Sequence, residues 1–138
     1  MATRCNIGIL NENGSVTGIY CHFDGYPKYV GNILLNHYTN TDIVNKLMNL
    51  GDLSSIGENL STDIPHSFND PVEGVCVAYG RDRGETDVNS KKFISEIEYK
   101  MNGKGVDYQY LFNNGKWYYR NVNKTGSTFV ELTAEVCK

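Results

Sequence analysis

The chain has 138 residues, 40% of them hydrophobic, and a formal charge of −3, a size that buries one core and predicts a single domain over residues 1–138. The acidic balance argues against broad, sequence-independent binding of duplex nucleic acid, which needs a basic surface, although a local basic patch remains compatible with it. No apolar run reaches the ~20 residues that cross a bilayer and no charged-then-apolar leader opens the chain, so a cytoplasmic protein without membrane association is expected.

The opening reads as a β-hairpin. Residues 3–10 place Cys5, Ile7 and Ile9 on one face, Asn13-Gly14 supplies a turn, and residues 15–23 return. Pro27 then starts a helix to about residue 38, with Val30, Ile33, Leu34 and His37 at helical spacing. Thr39 to Asp42 cap a second helix bearing Ile43, Val44, Leu47 and Met48, which Gly51 closes. Both helices are expected on one face of the sheet. Residues 52–73 lack a sustained period and predict a long loop with one helical turn near 53–56. The run 74–79 has the pattern of a central strand buried on both faces. Asp87 or Ser90 begins a third helix whose apolar stripe is Phe93, Ile94, Ile97 and Met101, stopped by Gly103. A second hairpin, 106–112 and 116–122, turns at Asn114-Gly115, and residues 128–132 add a last strand. This order predicts an α+β fold: a mainly antiparallel sheet of about five or six strands, hairpins at both ends, and two or three helices packed on it.

Chemistry concentrates where the second strand meets the first helix, at Tyr20-Cys21-His22-Phe23-Asp24-Gly25-Tyr26-Pro27. Strand alternation sends Ile19, Cys21 and Phe23 to the core and Tyr20, His22 and Asp24 to the other face. A phenol, an imidazole and a carboxylate ~7 Å apart can converge on one ligand, and His22 is the candidate catalytic acid or base with Asp24 fixing its tautomer. The alternative is a hydrogen-bonded trio that seats the turn. Gly25 and Tyr26 complete this wall, because a glycine backbone can approach a bound group closely. The glycine-bracketed Arg81-Asp82-Arg83 loop is the second candidate: two guanidiniums grip a phosphate or carboxylate, unless Asp82, Glu85 or Asp24 consumes them.

Cys5, Cys21, Cys76 and Cys137 form no C-x-x-C pair, so buried free thiols are expected, with no metal site and no cofactor. Tyr108, Tyr110, Phe112, Trp117, Tyr118 and Tyr119 are better read as cross-strand pairs of a sheet than as a base-stacking platform. His37 and His66 carry no motif and are expected to be structural or exposed.

The segments Tyr20 to Pro27, Gly31 to Tyr38, Ala78-Tyr-Gly-Arg-Asp-Arg-Gly-Glu85 and Tyr108 to Tyr118 together resemble a mostly uncharacterised family of small proteins of tailed bacteriophages and prophages. That family often carries Trp where this chain has Phe23. The resemblance covers nearly the whole chain and implies a counter-defence protein working in the cytoplasm of an infected bacterial host. Its leading form binds and sequesters a small anionic, nucleotide-like ligand at Tyr20, His22, Asp24, Gly25, Tyr26, Arg81 and Arg83. One alternative is a phosphodiester-cleaving enzyme with His22 as acid or base; another is a protein inhibitor of a host defence nuclease, resembling an anti-CRISPR. A homo-oligomer is compatible with each.

Overall fold

The computed structural model describes residues 2–138 and is built on one eight-stranded sheet. Strands β1 (Cys5–Leu10) and β2 (Val16–Cys21) pair antiparallel from Cys5↔Cys21 to Leu10↔Val16. Their turn is held by Asn13, whose Oδ1 accepts from the Ser15 amide and hydroxyl at 3.1 and 2.6 Å. A π-turn over Pro27–Gly31 continues into α1 (Asn32–His37), and α2 (Thr41–Leu50) follows, its first turn capped by Asn40 and its end closed by Gly51 at φ 76°. Next come β3 (Leu53–Ser55), β4 (Val77–Ala78), α3 (Tyr79–Arg83), β5 (Lys91–Phe93) and α4 (Glu96–Met101). The chain closes with β6 (Tyr108–Asn113), β7 (Lys116–Asn121) and β8 (Val130–Glu131). Asn114 and Gly115, at φ 52° and 84°, make the tight β6–β7 turn with the two positive φ values that its twist requires.

The strand order is β4-β3-β2-β1-β6-β7-β8, and β5 pairs with the Val16 end of β2. The sheet has eight strands rather than five or six, because β3 and β5 are too short to leave a periodic signal. It is mixed, not mainly antiparallel: β1 runs parallel to β6, and β2 parallel to β3. Local hairpin signals do not reveal how hairpins are joined to each other. Here the two terminal hairpins meet through β1 and β6, which are the strands buried on both faces.

Each face has its own cover. The first carries Cys5, Ile7, Ile9, Ile19, Tyr110, Phe112 and Trp117 and packs against Val30, Leu34, Tyr38, Val44 and Leu47 of the helical pair. The second is smaller: Val16, Leu111, Phe93 and Tyr99 cluster beneath α4. Tyr99 is fully buried and lies so close to β1 and β2 that a Cβ on Gly8 would fall 2.9 Å from its ring, and one on Gly18 3.1 Å. Its hydroxyl donates to Tyr110 O at 2.7 Å.

Three further expectations change. Residues 53–55 form a strand rather than a helical turn, because Leu53 and Ser54 extend the sheet beside β2 and accept the His22 and Phe23 amides. The 74–79 run yields only the two-residue edge strand β4, buried and paired with β3, rather than a central strand. The third helix starts only at Glu96; Phe93 belongs to β5, and Ile94, Ile97 and Met101 face solvent at 78%, 72% and 70% exposure. Tyr99 takes the inward position and turns that stripe outward. Accordingly, Ile97→Ser should change stability by no more than about 0.5 kcal/mol, whereas Tyr99→Ala should cost about 3–5 kcal/mol, both read by urea unfolding. A large loss from Ile97→Ser would contradict the observed helix orientation.

Candidate functional site

The turn after β2 is a joint of the fold. The strand ends at Cys21, and the His22 and Phe23 amides donate to Leu53 O and Ser54 O, each at 3.0 Å. The Tyr20 hydroxyl and His22 Nδ1 are hydrogen-bonded at 2.7 Å, as the alternation of Tyr20 and His22 requires. Asp24 departs from that alternation. Its φ of 59° turns the chain, and its carboxylate accepts from the Tyr26 hydroxyl at 3.3 Å, so Tyr20 rather than Asp24 orients His22. Phe23, expected in the core, is 45% exposed and stands edge-on to the His22 ring at 4.5 Å. Gly25 is held from both sides: its amide donates to Thr3 O at 2.8 Å and its carbonyl accepts from the Tyr110 hydroxyl at 2.7 Å. A Cβ on Gly25 would lie 2.9 Å from Cys5 Cβ and 3.0 Å from the Arg4 backbone, so the glycine serves chain packing.

Arg81 is consumed within the fold. Nη1 donates to Leu60 O at 2.5 Å, Nη2 to Cys76 O at 2.6 Å, and Nε and Nη2 to the Asp82 carboxylate at 2.9 and 3.0 Å. Asp82 Oδ2 also accepts from the Ala78 amide at 2.8 Å and pairs with His66 Nε2 at 3.2 Å. His66 Nδ1 accepts from the Val72 amide at 2.9 Å, which places the ring proton on Nε2. This partly buried cluster fastens the long loop to α3. Arg83 is more open; it pairs with Glu85 at 3.2 Å and lies 4.8 Å over the Phe68 ring. All four cysteines are buried free thiols.

The five principal cavities separate the expected site residues. Tyr20 borders a small one of about 30 Å³, Arg81 and Arg83 border two different ones, and His22, Asp24 and Gly25 border none of the five. Tyr26 borders one of about 550 Å³. Its aromatic walls are Tyr26, Tyr108 and Tyr119, its far wall is the loop Lys124-Thr125-Gly126-Ser127-Thr128, and its charged residues are Lys28, Arg120 and Lys124. Neither His, Asp, Glu nor Cys lines it, and among the described residues none of the three cations pairs with a carboxylate.

The topology explains this opening. Strand β8 covers β7 only at Tyr118 and Tyr119, leaving the Arg120–Asn121 edge to the 124–128 loop. Alternation places Tyr108 and Tyr119 on the helix-bearing face and directs the Arg120 side chain to the other. There Arg120 Nη1 donates to Gln109 Oε1 at 2.6 Å and Nε to Ser127 O at 3.3 Å, and burial lowers its pKa from the ordinary arginine value. Gly126 has φ 73°, the Thr125, Gly126 and Thr128 amides donate to no protein acceptor among the described residues, and Ser127 Oγ is buried without a partner. Sequence reasoning set Tyr108 and Tyr119 aside as cross-strand pairs rather than a stacking platform, and it pointed to none of Lys28, Arg120 and Lys124 for binding. The detectable signal was the Lys-Thr-Gly-Ser-Thr run directly after an aromatic strand.

Comparison with protein-family models, curated proteins and solved structures finds no match to this chain.

The Asp82 cluster has a pH consequence. Burial pushes this carboxyl upward, but the Arg81 guanidinium, the Ala78 amide and His66 more than reverse it, so its pKa falls below the ordinary aspartate value. A lowered folded-state pKa lends stability above the unfolded value of about 3.9 and loses it as pH falls through the lower one. The urea midpoint should therefore drop as pH is taken from about 5 to about 3. In Asp82→Asn that acid limb should be shallower; an unchanged limb would remove Asp82 as its source.

Proposed function

We propose that the protein binds and sequesters a small anionic, nucleotide-like ligand in the cavity between Tyr26, Tyr119 and the 124–128 loop. The observation that carries this reading is a tyrosine-walled cavity whose charged lining residues are all cations, in a chain that is acidic overall. A volume of about 550 Å³ suits a mononucleotide-sized ligand. Tyrosine faces stack on a base, and Lys28 and Lys124 attract phosphate as mobile point charges. The lining holds no acid–base or nucleophilic side chain of the His, Asp, Glu or Cys kind, which favours holding a ligand over cleaving it. The phage resemblance of the Tyr20–Pro27 and Ala78–Glu85 motifs adds the context: removal of a nucleotide signal used in host defence. In this reading Tyr20, His22, Asp24, Arg81 and the Gly25 turn build the scaffold, and Tyr26 is the expected residue that reaches the ligand.

Calorimetric titration of the folded protein against nucleoside 5′-mono-, di- and triphosphates and cyclic dinucleotides tests it. One or more should bind, more weakly as salt rises, and chromatography should recover the ligand intact. Lys28→Glu with Lys124→Glu should weaken binding at least about tenfold, roughly 1.4 kcal/mol, while His22→Ala leaves it unchanged. Failure of every panel member to bind would overturn the proposal, and new products would point to the phosphodiesterase alternative with His22 in its chemistry.

A second reading, inhibition of a host defence nuclease by direct contact, is favoured by a different observation: the exposed apolar face of Ile94, Ile97 and Met101. It requires that Ile97→Asp with Met101→Asp abolish inhibition of such a nuclease in an otherwise stable protein. Full inhibition by that variant would exclude the face.

A further inference from the structure

We infer that the 124–128 loop is a phosphate seat, and that Gln109, a fully buried core residue, is the positioning residue that sets it through Arg120. This rests on the nucleotide-binding reading and specifies its substrate class: a nucleoside bearing a phosphate, rather than a nucleoside alone.

Gln109 has no freedom to flip. Both Nε2 protons are used, one on Asn6 Oδ1 at 3.1 Å and one on Tyr99 O at 2.8 Å, so Oε1 must face Arg120 Nη1 at 2.6 Å. Arg120 carries that constraint outward, because its Nε donates to Ser127 O at 3.3 Å and ties the loop to β7. Its acceptors are an amide oxygen and a carbonyl, both uncharged, and among the described residues no carboxylate pairs with it. The guanidinium's charge is thus not neutralised within the fold, and it stands against the loop at Ser127 O.

The loop itself is supplied with donors. Among the described residues the Thr125, Gly126 and Thr128 amides, all on exposed residues, donate to no protein acceptor, and the half-buried Ser127, which lines the cavity, has an Oγ without a partner. Buried polar atoms without partners are rare in folded proteins and need a reason, and a bound anion provides one. Successive free amides around a glycine at φ 73° form the kind of concavity that accepts phosphate oxygens. Lys124 and Lys28 stand at the rim to draw the anion in.

The test uses the full chain and calorimetry with adenosine, guanosine, cytidine and uridine 5′-monophosphates, each beside its unphosphorylated nucleoside. In wild type the tightest monophosphate should bind at least tenfold better than its nucleoside. Gln109→Glu, which sets a carboxylate against Arg120, should reduce that ratio to below threefold while changing nucleoside affinity less than twofold. Ser127→Ala removes a hydroxyl that makes no bond in the fold and should weaken the monophosphate about threefold without touching the nucleoside. A purely structural role for Gln109 would weaken both ligands together, and that outcome overturns the inference. Folded variants that keep the wild-type phosphate preference also overturn it while leaving nucleotide binding intact. If Gln109→Glu does not fold, Ser127→Ala decides, and an unchanged monophosphate affinity counts against the seat. Wild-type protein that binds no nucleotide of either panel removes the underlying reading instead.

Discussion

Gln109 donates to Asn6 across the parallel β1–β6 pair, where the two residues stand in direct register, and both are buried. A one-residue slip would leave their amides unpaired in the interior and turn Ile7 and Ile9 away from the helices, so this contact and the apolar alternation around it fix the register together. Everything else hangs from that junction. It joins the N-terminal hairpin to the C-terminal one, seats Tyr99 against Gly8 and Gly18, and brings Tyr110 within reach of Gly25. The same amide holds Arg120, and through it the loop that walls the largest tyrosine-lined cavity.

The two polar motifs that stand out in the sequence act mainly as fasteners. The Tyr20–Pro27 turn is tied to the N-terminal segment, β3 and β6 through bonds to Thr3, Leu53, Ser54 and the Tyr110 hydroxyl, and the Arg81–Asp82–His66 cluster anchors a loop that lacks regular structure of its own. Both spend their polar groups internally. The cavity does the reverse: among the described residues its Thr125, Gly126 and Thr128 amides, its serine hydroxyl and its lysine ammonium groups have no internal partners. An unspent donor set beside aromatic walls is the property expected of a recognition site, whereas a satisfied network is the property expected of a scaffold.

Both hairpins, the helical pair and their caps were legible because each is written in local chemistry: Asn13-Gly14, Pro27, Asn40, Gly51 and Asn114-Gly115 act within a few residues of themselves. The parallel β1–β6 pairing was not legible, since it joins residues about a hundred positions apart and the Asn6–Gln109 match has no local signature. The third helix was misread because Ile94, Ile97 and Met101 keep helical spacing yet face water, while the inward side is set by Tyr99 filling space left by two glycines. Of the expected ligand residues, only Tyr26 reaches the cavity, because the candidate site is assembled from β6, β7, the start of the Pro27–Gly31 turn and a late loop that topology alone brings together. Arg81 looked like a phosphate ligand for a sound reason, and its carbonyl partners Leu60 and Cys76 become visible only once the loop is folded.

Amide chemical-shift mapping locates the ligand on the protein directly. Added to the full-length protein, the nucleotide that binds best should perturb Lys28 and the Thr125, Gly126 and Thr128 amides most strongly, with smaller shifts along Tyr119 and Arg120, and should leave His22 and Arg83 nearly unmoved. Shifts centred on His22, Asp24 or Arg83 with a silent 124–128 loop would contradict binding in the tyrosine-walled cavity.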